Sequence, residues 1–256
     1  MKLAVITPYH SEPLDVLLRC HRSVADQQYA CAHFMIADGF PRPEIDDLAV
    51  RHLTLPCSHG DNGNTPRAVG GICAIAEGYD ALAYLDADNW YDDHHVATVV
   101  GVAEQTGADV VFATRRLRLA DGTPCSFEDR DIVERQTADT SSFVLTRRAL
   151  ALAAHWGLMP AALSPICDRV MFTMIRALGL TVAWTPTPSV TYESRWPTHY
   201  VAAGLPPPQD AHDTDWDLVE AGYDACTLIE RFGFDPFAGV GPRRATHKPT
   251  GLVDLV

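Results

Sequence analysis

The stretch Ala81-Leu82-Ala83-Tyr84-Leu85-Asp86-Ala87-Asp88-Asn89 is five apolar residues running straight into two carboxylates one residue apart. A short apolar run bounded by polar residues suits a strand buried on both faces of a parallel sheet. Open α/β sheets collect their ligands at the carboxyl ends of such strands. Asp86 and Asp88 therefore stand where a hard divalent cation can be shared between carboxylate and phosphate oxygens. An Asp-x-Asp triplet alone is common, and it is the position directly behind an apolar strand that gives this one weight.

Upstream, Leu3 to Thr7 reads as a first buried strand stopped by Pro8, and Tyr9-His10-Ser11-Glu12 as a polar loop. Leu14, Leu17, Leu18, His21, Val24 and Ala25 recur at helical spacing. His33 to Ala37 is a second strand ending in Asp38-Gly39, and Val50 to Leu55 a third. The Gly- and Asn-rich loop His59 to Thr65 opens a helix whose Val69, Ile72, Cys73 and Ala76 share a face, with Gly78 as its C-cap. Downstream, Asp93 to Gln105 reads as a helix and Asp109 to Thr114 as a strand. Strand–helix alternation of this kind is the signature of a mostly parallel, right-handed α/β sheet flanked by helices.

Beyond Arg115 the pattern loosens. Leu117 to Thr123 reads as a hairpin arm turning at Asp121-Gly122, Glu128 to Glu134 as an acidic loop, and Ser142 to Leu145 as a short strand. Thr146 is placed to cap a helix ending near Gly157. Pro165 opens another helix with an apolar face of Val170, Met171, Met174, Ile175 and Leu178, followed by a strand from Thr181 to Trp184. The run Leu205-Pro206-Pro207-Pro208 marks a boundary. Asp213 to Phe232 reads as one amphipathic helix before a loose tail.

The bulk numbers bound the function. The 256 residues are 47% hydrophobic and 21% charged, ordinary for a soluble globular protein with a sizeable core. A formal charge of −13 argues against a surface that coats nucleic acid, which needs clustered Lys and Arg. Seven scattered cysteines without a Cys-x-x-Cys pair read as reduced thiols of a cytoplasmic protein. No stretch approaches the length of a transmembrane segment. The C-terminal helix is left to pack on its own domain or on a second copy in a homo-oligomer.

Taken in order, Val5-Ile6-Thr7-Pro8-Tyr9-His10-Ser11-Glu12, Phe34-Met35-Ile36-Ala37-Asp38-Gly39, Gly63-Asn64-Thr65-Pro66-Arg67-Ala68-Val69-Gly70 and Asp86-Ala87-Asp88 resemble the inverting nucleotide-sugar glycosyltransferases of the GT-A type, close to family 2. The resemblance implies a Rossmann-like GT-A fold with a C-terminal helical extension: a catalytic domain over 1–204, split into a nucleotide-binding half (1–114) and an acceptor-binding half (115–204), followed by a Pro-rich linker, helix and tail over 205–256. It implies that Thr7, Pro8, Tyr9 and Glu12 lie where the nucleotide sits, and that Asp38 accepts a hydrogen bond from the base imide. Arg67 resembles the arginine that contacts the nucleotide, a role suited to a fixed guanidinium. Asp86, with Ala87 beside it, would contact ribose or metal-bound water, and Asp88 would ligate Mg²⁺ or Mn²⁺ bridging the diphosphate. Two departures stand out: the family's double acidic motif appears as Ala37-Asp38-Gly39-Phe40, and Ala68 replaces the asparagine that usually follows the arginine.

Inverting transfer needs a base for the acceptor hydroxyl and an electrophile for the departing diphosphate. Asp168, in Ser164-Pro165-Ile166-Cys167-Asp168-Arg169, resembles the family's acidic base, with Cys167 where a glutamate usually stands. A carboxylate in a first helical turn also favours the helix dipole without any catalysis. Glu128, Asp129 and Asp131 are lesser candidates. His199 is a candidate second metal ligand, since some GT-A enzymes use a histidine beyond the catalytic helix. Trp90 and Trp196 are of a type that stacks on sugar rings, although packing is the plainer role, and Thr140, Ser141 and Ser142 are placed to line an acceptor site. The expected partners are a nucleoside-diphosphate sugar, with a UDP-sugar favoured, and an unidentified acceptor. A nucleotidyltransferase would want a Gly-rich basic loop after the first strand and a dinucleotide oxidoreductase a GxGxxG there, and neither is present. A non-catalytic nucleotide-sugar-binding scaffold keeps the fold but has no need of Asp86, Asp88 and Asp168 together.

Overall fold

Leu3–Tyr9 forms strand β1, buried along its whole length, and the main sheet grows outward from it. The computed structural model describes residues 1–125, 137–212 and 214–238. On one side β1 pairs in parallel with β2 (Cys31–Ala37), which pairs with the edge strand β3 (Arg51–Thr54). On the other side it pairs in parallel with β4 (Ala81–Tyr84). Beyond β4 come β8 (Phe143–Thr146), β6 (Val110–Phe112) and β9 (Val182–Trp184), giving seven strands in the order β3-β2-β1-β4-β8-β6-β9. Only β8 runs antiparallel to its neighbours, so the sheet is mostly parallel, as the sequence pattern predicts.

Alternation along β1 shows why both faces are covered. Ala4 and Ile6 belong to the apolar cluster shared with α2 (Asn64–Ala76), with the 3₁₀ turns of Arg147–Leu158, and with α4 (Cys167–Ala177). Leu3 and Val5 point the other way, to α1 (Leu14–Ala25) and α3 (His95–Thr106). Successive strand side chains face opposite sides, so a fully apolar strand demands helices on both. Helix α2 lies unusually close to the sheet. A Cβ on Gly70 would fall 2.5 Å from Ile36 Cδ1 and 2.8 Å from Ile6 Cγ2, so that crossing needs glycine.

A second, three-stranded sheet sits beyond the C-terminal ends of the main strands. Its middle strand β10 (Val190–Ser194) pairs antiparallel with β5 (Trp90–Tyr91) and parallel with β7 (Arg115–Leu119). The short helix α5 (Pro197–Ala202) follows it, and Val219, Leu228, Phe232 and Phe237 of the C-terminal part join the same apolar cluster as α2 and α4.

Three local expectations are corrected. Residues over 214–232 form two helices, α6 (Trp216–Ala221) and α7 (Ala225–Phe232), not one. Gly222 ends the first, and the Asp224 carboxylate caps the second by accepting from the Cys226 and Thr227 amides. The segment after Thr146 is 3₁₀ rather than α, and the Thr146 hydroxyl does not cap it but donates to Ala108 O at 2.8 Å. Pro165 lies inside a 3₁₀ turn (Ala161–Ile166), with the α-helix starting only at Cys167. The turn at Asp121-Gly122 is present, with Leu119 N donating to Thr123 O, although β7 takes its main partner from β10. The acidic stretch Glu128 to Glu134, with Glu128, Asp129 and Asp131, lies outside the described residues. All seven cysteines are free thiols, and no helix among the described residues is long and apolar enough to cross a membrane.

Candidate active site

The turn after β4 is fixed from both sides. Leu85 N donates to Ile6 O, continuing the ladder one residue past the strand. Asp86 N and the Asn89 side-chain amide both donate to Ser141 Oγ, at 3.1 and 2.8 Å, while Asn89 Oδ1 accepts from Glu193 N at 3.0 Å. Asn89 is fully buried, so these bonds form away from water and specify the turn that presents Asp86 and Asp88.

Arg67 reaches this turn from the first coil of α2. Gly63, at φ +80°, caps that helix beside Pro8, where a Cβ would meet Pro8 Cγ at 3.0 Å. The buried guanidinium donates to Asp86 Oδ1 at 2.6 Å, to Asn62 O at 2.7 Å and to Asn64 Oδ1 at 3.3 Å, and lies over the Trp156 ring. Burial works against its charge, but the Asp86 carboxylate more than offsets this and holds Arg67 protonated.

Around this pair lies a group of acids. Burial pushes the Asp88 carboxyl up to about 7, and the charges of Asp86, Asp139 and Glu193 push in the same direction. Asp139 caps the 3₁₀ turn Thr140–Ser142 through Ser141 N and lies 3.4 Å from Arg115. Its carboxyl is raised by burial; Arg115 pulls it back down, and Asp86 and Asp168 raise it further. Asp168, in the first turn of α4, is raised by burial too, against the pull of Arg169, and it senses Arg115 and Asp86. On the small sheet Glu193 pairs with Arg19 at 2.9 Å, and Arg19 also donates to Asp88 O at 2.7 Å and lies over the Trp90 ring. Arg115 lies over Tyr192, whose hydroxyl accepts from Trp196 Nε1 at 2.9 Å.

The structure thus brings Arg67, Asp86, Asp88 and Asp168 to one end of the sheet. It treats the other sequence candidates differently. The Thr7 hydroxyl is fully buried under α1, 2.9 Å from His33 Nε2, and Tyr9 is buried with its hydroxyl on His52 and on the Arg42 amide. Ala87 is buried in the same small apolar cluster as Tyr9 and Leu17. Pro8 faces α2, beside Gly63 and Arg67. Glu12 accepts from the His10 amide. Asp38 is buried, with Oδ1 2.6 Å from His59 Nδ1 and Oδ2 accepting from His59 N at 3.0 Å. Next to it an open groove of about 440 Å³ is lined by His10, Gly39, Phe40 and Arg42. His199 shares a 2.6 Å hydrogen bond with Ser194 Oγ. Thr140, Ser141 and Ser142 are all buried, Ser141 serving the Asp86 turn.

Several residues of this centre escape sequence reading. Arg115 and Glu193 sit on strands whose pairing is long-range, Arg19 reaches the centre from α1 by contacts with Asp88 and Glu193 far along the chain, and Asp139 arrives just ahead of β8. Asp139 alone leaves a local trace, the N-cap pattern Asp-Thr-Ser-Ser.

The donor set suits a divalent cation completed by a ligand. Asp88 is a carboxylate in an acid-rich, largely buried place, where a cation relieves the crowding. Among the described residues no three His, Cys, Asp or Glu side chains form a group able to hold a metal unaided. One or two carboxylates plus phosphate oxygens is the usual arrangement for Mg²⁺ at phosphorylated substrates.

The family model described as Glycosyl transferase family 2 matches residues 4–152, more than half of the chain. Solved structures of Staphylococcus aureus TarS share the fold. TarS 1–349 in complex with UDP-GlcNAc aligns with a TM-score of 0.60 at 13% identity, covering 91% of this chain and 68% of that one. The complex of TarS 1–349 with UDP gives 0.58 at 14% identity, with 93% and 74% covered. Against a longer TarS structure the TM-score is 0.57 at 14% identity, and the chain covers 38% of it. At these identities the likeness is one of fold. A search of curated protein sequences returns no match.

Proposed function

The chain belongs to glycosyl transferase family 2, and from that premise we propose that it transfers a sugar, with inversion, from a UDP-sugar to an acceptor hydroxyl. The reading is carried by one grouping: Asp86 and Asp88 at the end of β4, Arg67 bonded to Asp86, and Asp168 near enough to sense the Asp86 charge. UDP-GlcNAc is the first donor to test, because a relative in fold binds it.

In this account the nucleotide lies over the ends of β1 and β2, with its base toward Asp38 and the neighbouring groove and its diphosphate at Asp86 and Asp88. Arg67, fixed by three acceptors, holds the Asp86 carboxylate in place. Asp88 is the residue to hold Mn²⁺ or Mg²⁺, and His199 is a second ligand candidate on α5. When bound, the cation supplies positive charge to the leaving diphosphate.

The Asp168 carboxylate takes the proton of the acceptor hydroxyl. The freed oxygen attacks the anomeric carbon from the face opposite the nucleotide, and the electron pair of the breaking C–O bond leaves with UDP. A carboxyl raised by burial is a stronger base than one in water, and proton transfer by a placed group contributes about 10²- to 10⁴-fold. Asp139, paired with Arg115 and within reach of the charges of Asp86 and Asp168, adjusts the charge of this centre.

Incubating the protein with UDP-GlcNAc and Mn²⁺ and measuring released UDP tests this reading, with water serving as acceptor. Release that disappears in Asp88→Ala supports it, and no release from any UDP-sugar overturns it.

A further inference from the structure

Donor binding does not account for the bond between Asn64 and Ser164. Both are polar and almost fully buried, at 1% and 4% exposure, and Asn64 Nδ2 donates to Ser164 Oγ at 3.3 Å across 100 residues of chain. A buried amide facing a buried hydroxyl packs no better than two apolar groups of the same size, and each carries a desolvation cost. What the polar pair adds is direction.

Each partner is tied to one side of the centre. Asn64 Oδ1 accepts from Arg67, which in turn binds Asp86. Ser164 lies in the 3₁₀ turn Ala161–Ile166, which runs without a break into α4 and Asp168. A continuous chain of hydrogen bonds, buried at Arg67, Asn64 and Ser164, thus links Asp86 to the segment that carries Asp168.

We infer that Asn64 and Ser164 are positioning residues: their hydrogen bond sets the register of the α4 N-terminus, and with it the Asp168 carboxylate, against the Arg67–Asp86 pair. The inference rests on the proposed roles of Asp168 as base and of Asp86 at the donor. Arg67 keeps a separate anchor on Asn62 O at 2.7 Å. Cutting the Asn64–Ser164 link therefore leaves the donor side in place and lets the base side drift. Misplacement of a reacting group by about 1 Å can cost on the order of 10²-fold in rate.

The test uses the full chain, UDP-GlcNAc and Mn²⁺, and follows UDP release with water as acceptor. Ser164→Ala is expected to lower kcat about tenfold or more while KM for the donor changes by less than about twofold, and Ser164→Thr, which keeps the hydroxyl, recovers most of the rate. In Asn64→Ala/Ser164→Ala, kcat falls no further than in Asn64→Ala, because that single variant already lacks the bond that Ser164→Ala removes, together with the Asn64 contact to Arg67. Circular dichroism melts show whether each variant is folded. An unchanged kcat in Ser164→Ala, a loss shared equally with KM, or additive losses in the double variant overturns the inference while leaving the donor reading intact. A wild-type protein that releases no UDP overturns both.

Discussion

The Arg67 guanidinium lies 2.6 Å from Asp86 Oδ1, with the arginine side chain 5% exposed and the carboxylate 25% exposed. This pair joins the helix opened by the Gly- and Asn-rich loop to the acidic turn after β4. Breaking a buried ion pair costs about 3–5 kcal/mol. Since Asp86 keeps some water, Arg67→Leu is expected to destabilise by about 2–3 kcal/mol, read as a lower denaturant midpoint at unchanged slope. Arg67→Lys keeps the charge but not the planar fork that also serves Asn62 and Asn64, and is expected to fall between. Loss of less than about 0.5 kcal/mol in Arg67→Leu would show the pair to be energetically idle.

Asp168→Asn should leave donor binding unchanged and cut UDP release by at least about 10²-fold. In the wild-type protein the rate should rise with pH through the Asp168 ionisation, which burial places above the ordinary carboxylate range. Equal rates in Asp168→Asn and wild type would remove Asp168 from the chemistry.

Asp139→Asn should stabilise the ligand-free protein. Burial and the charges of Asp86 and Asp168 disfavour the ionised carboxylate despite Arg115, and asparagine imitates its neutral form. A gain of about 1 kcal/mol, or roughly 2–4 °C in Tm, is expected at pH 7.5. A lower Tm would mean that the Arg115 pairing outweighs the crowding of acids.

The His21–His33 pair sets a pH dependence of stability. Their Nδ1 atoms are 3.1 Å apart between α1 and β2, and His33 Nε2 also meets Thr7 Oγ1. Burial holds both below the ordinary histidine value, His33 at about 3. The unfolded chain takes up protons from about pH 6.5 downward and the folded chain does not. For His33, stability present above pH 6.5 is therefore lost as pH falls toward 3, by up to about 1.4 kcal/mol per pH unit, and His21 adds a loss of the same sign. His33→Asn should shrink the drop in Tm between pH 7.5 and 5.5, and a drop of unchanged size would place the sensitivity elsewhere.

Much of the frame is legible in the chain because it is local. The β1–α1–β2 and α2–β4 units follow from apolar runs, helical spacing and glycines, and the ends of β2 and β4 locate Asp38 and Asp86 without any tertiary information. Asp139 is different. It stands beside Asp86 and Asp168 because β8 inserts antiparallel between β4 and β6, and its pairing with β4, from Ala81↔Thr146 to Ala83↔Val144, is one that no local pattern encodes. The burial of Thr7 and Tyr9 follows from the way α1 and the Pro43–Ile45 turn close over β1, again a tertiary outcome. The break between α6 and α7 had a local signal, Gly222 followed by an Asp224 cap, within what the apolar periodicity reads as one helix.

If Asp86 and Asp88 hold a UDP-sugar through a divalent cation, a thermal-shift panel reads that binding without any acceptor. UDP, GDP, dTDP and UDP-GlcNAc would each be titrated with and without Mn²⁺ against wild type and Asp88→Ala. A ligand that binds only the folded state at 100 times its Kd stabilises by about 2.7 kcal/mol, a shift well within reach of the method. The account predicts a Mn²⁺-dependent rise in Tm with UDP and UDP-GlcNAc that Asp88→Ala abolishes. Equal shifts in wild type and Asp88→Ala, or none with any of these nucleotides, would contradict it.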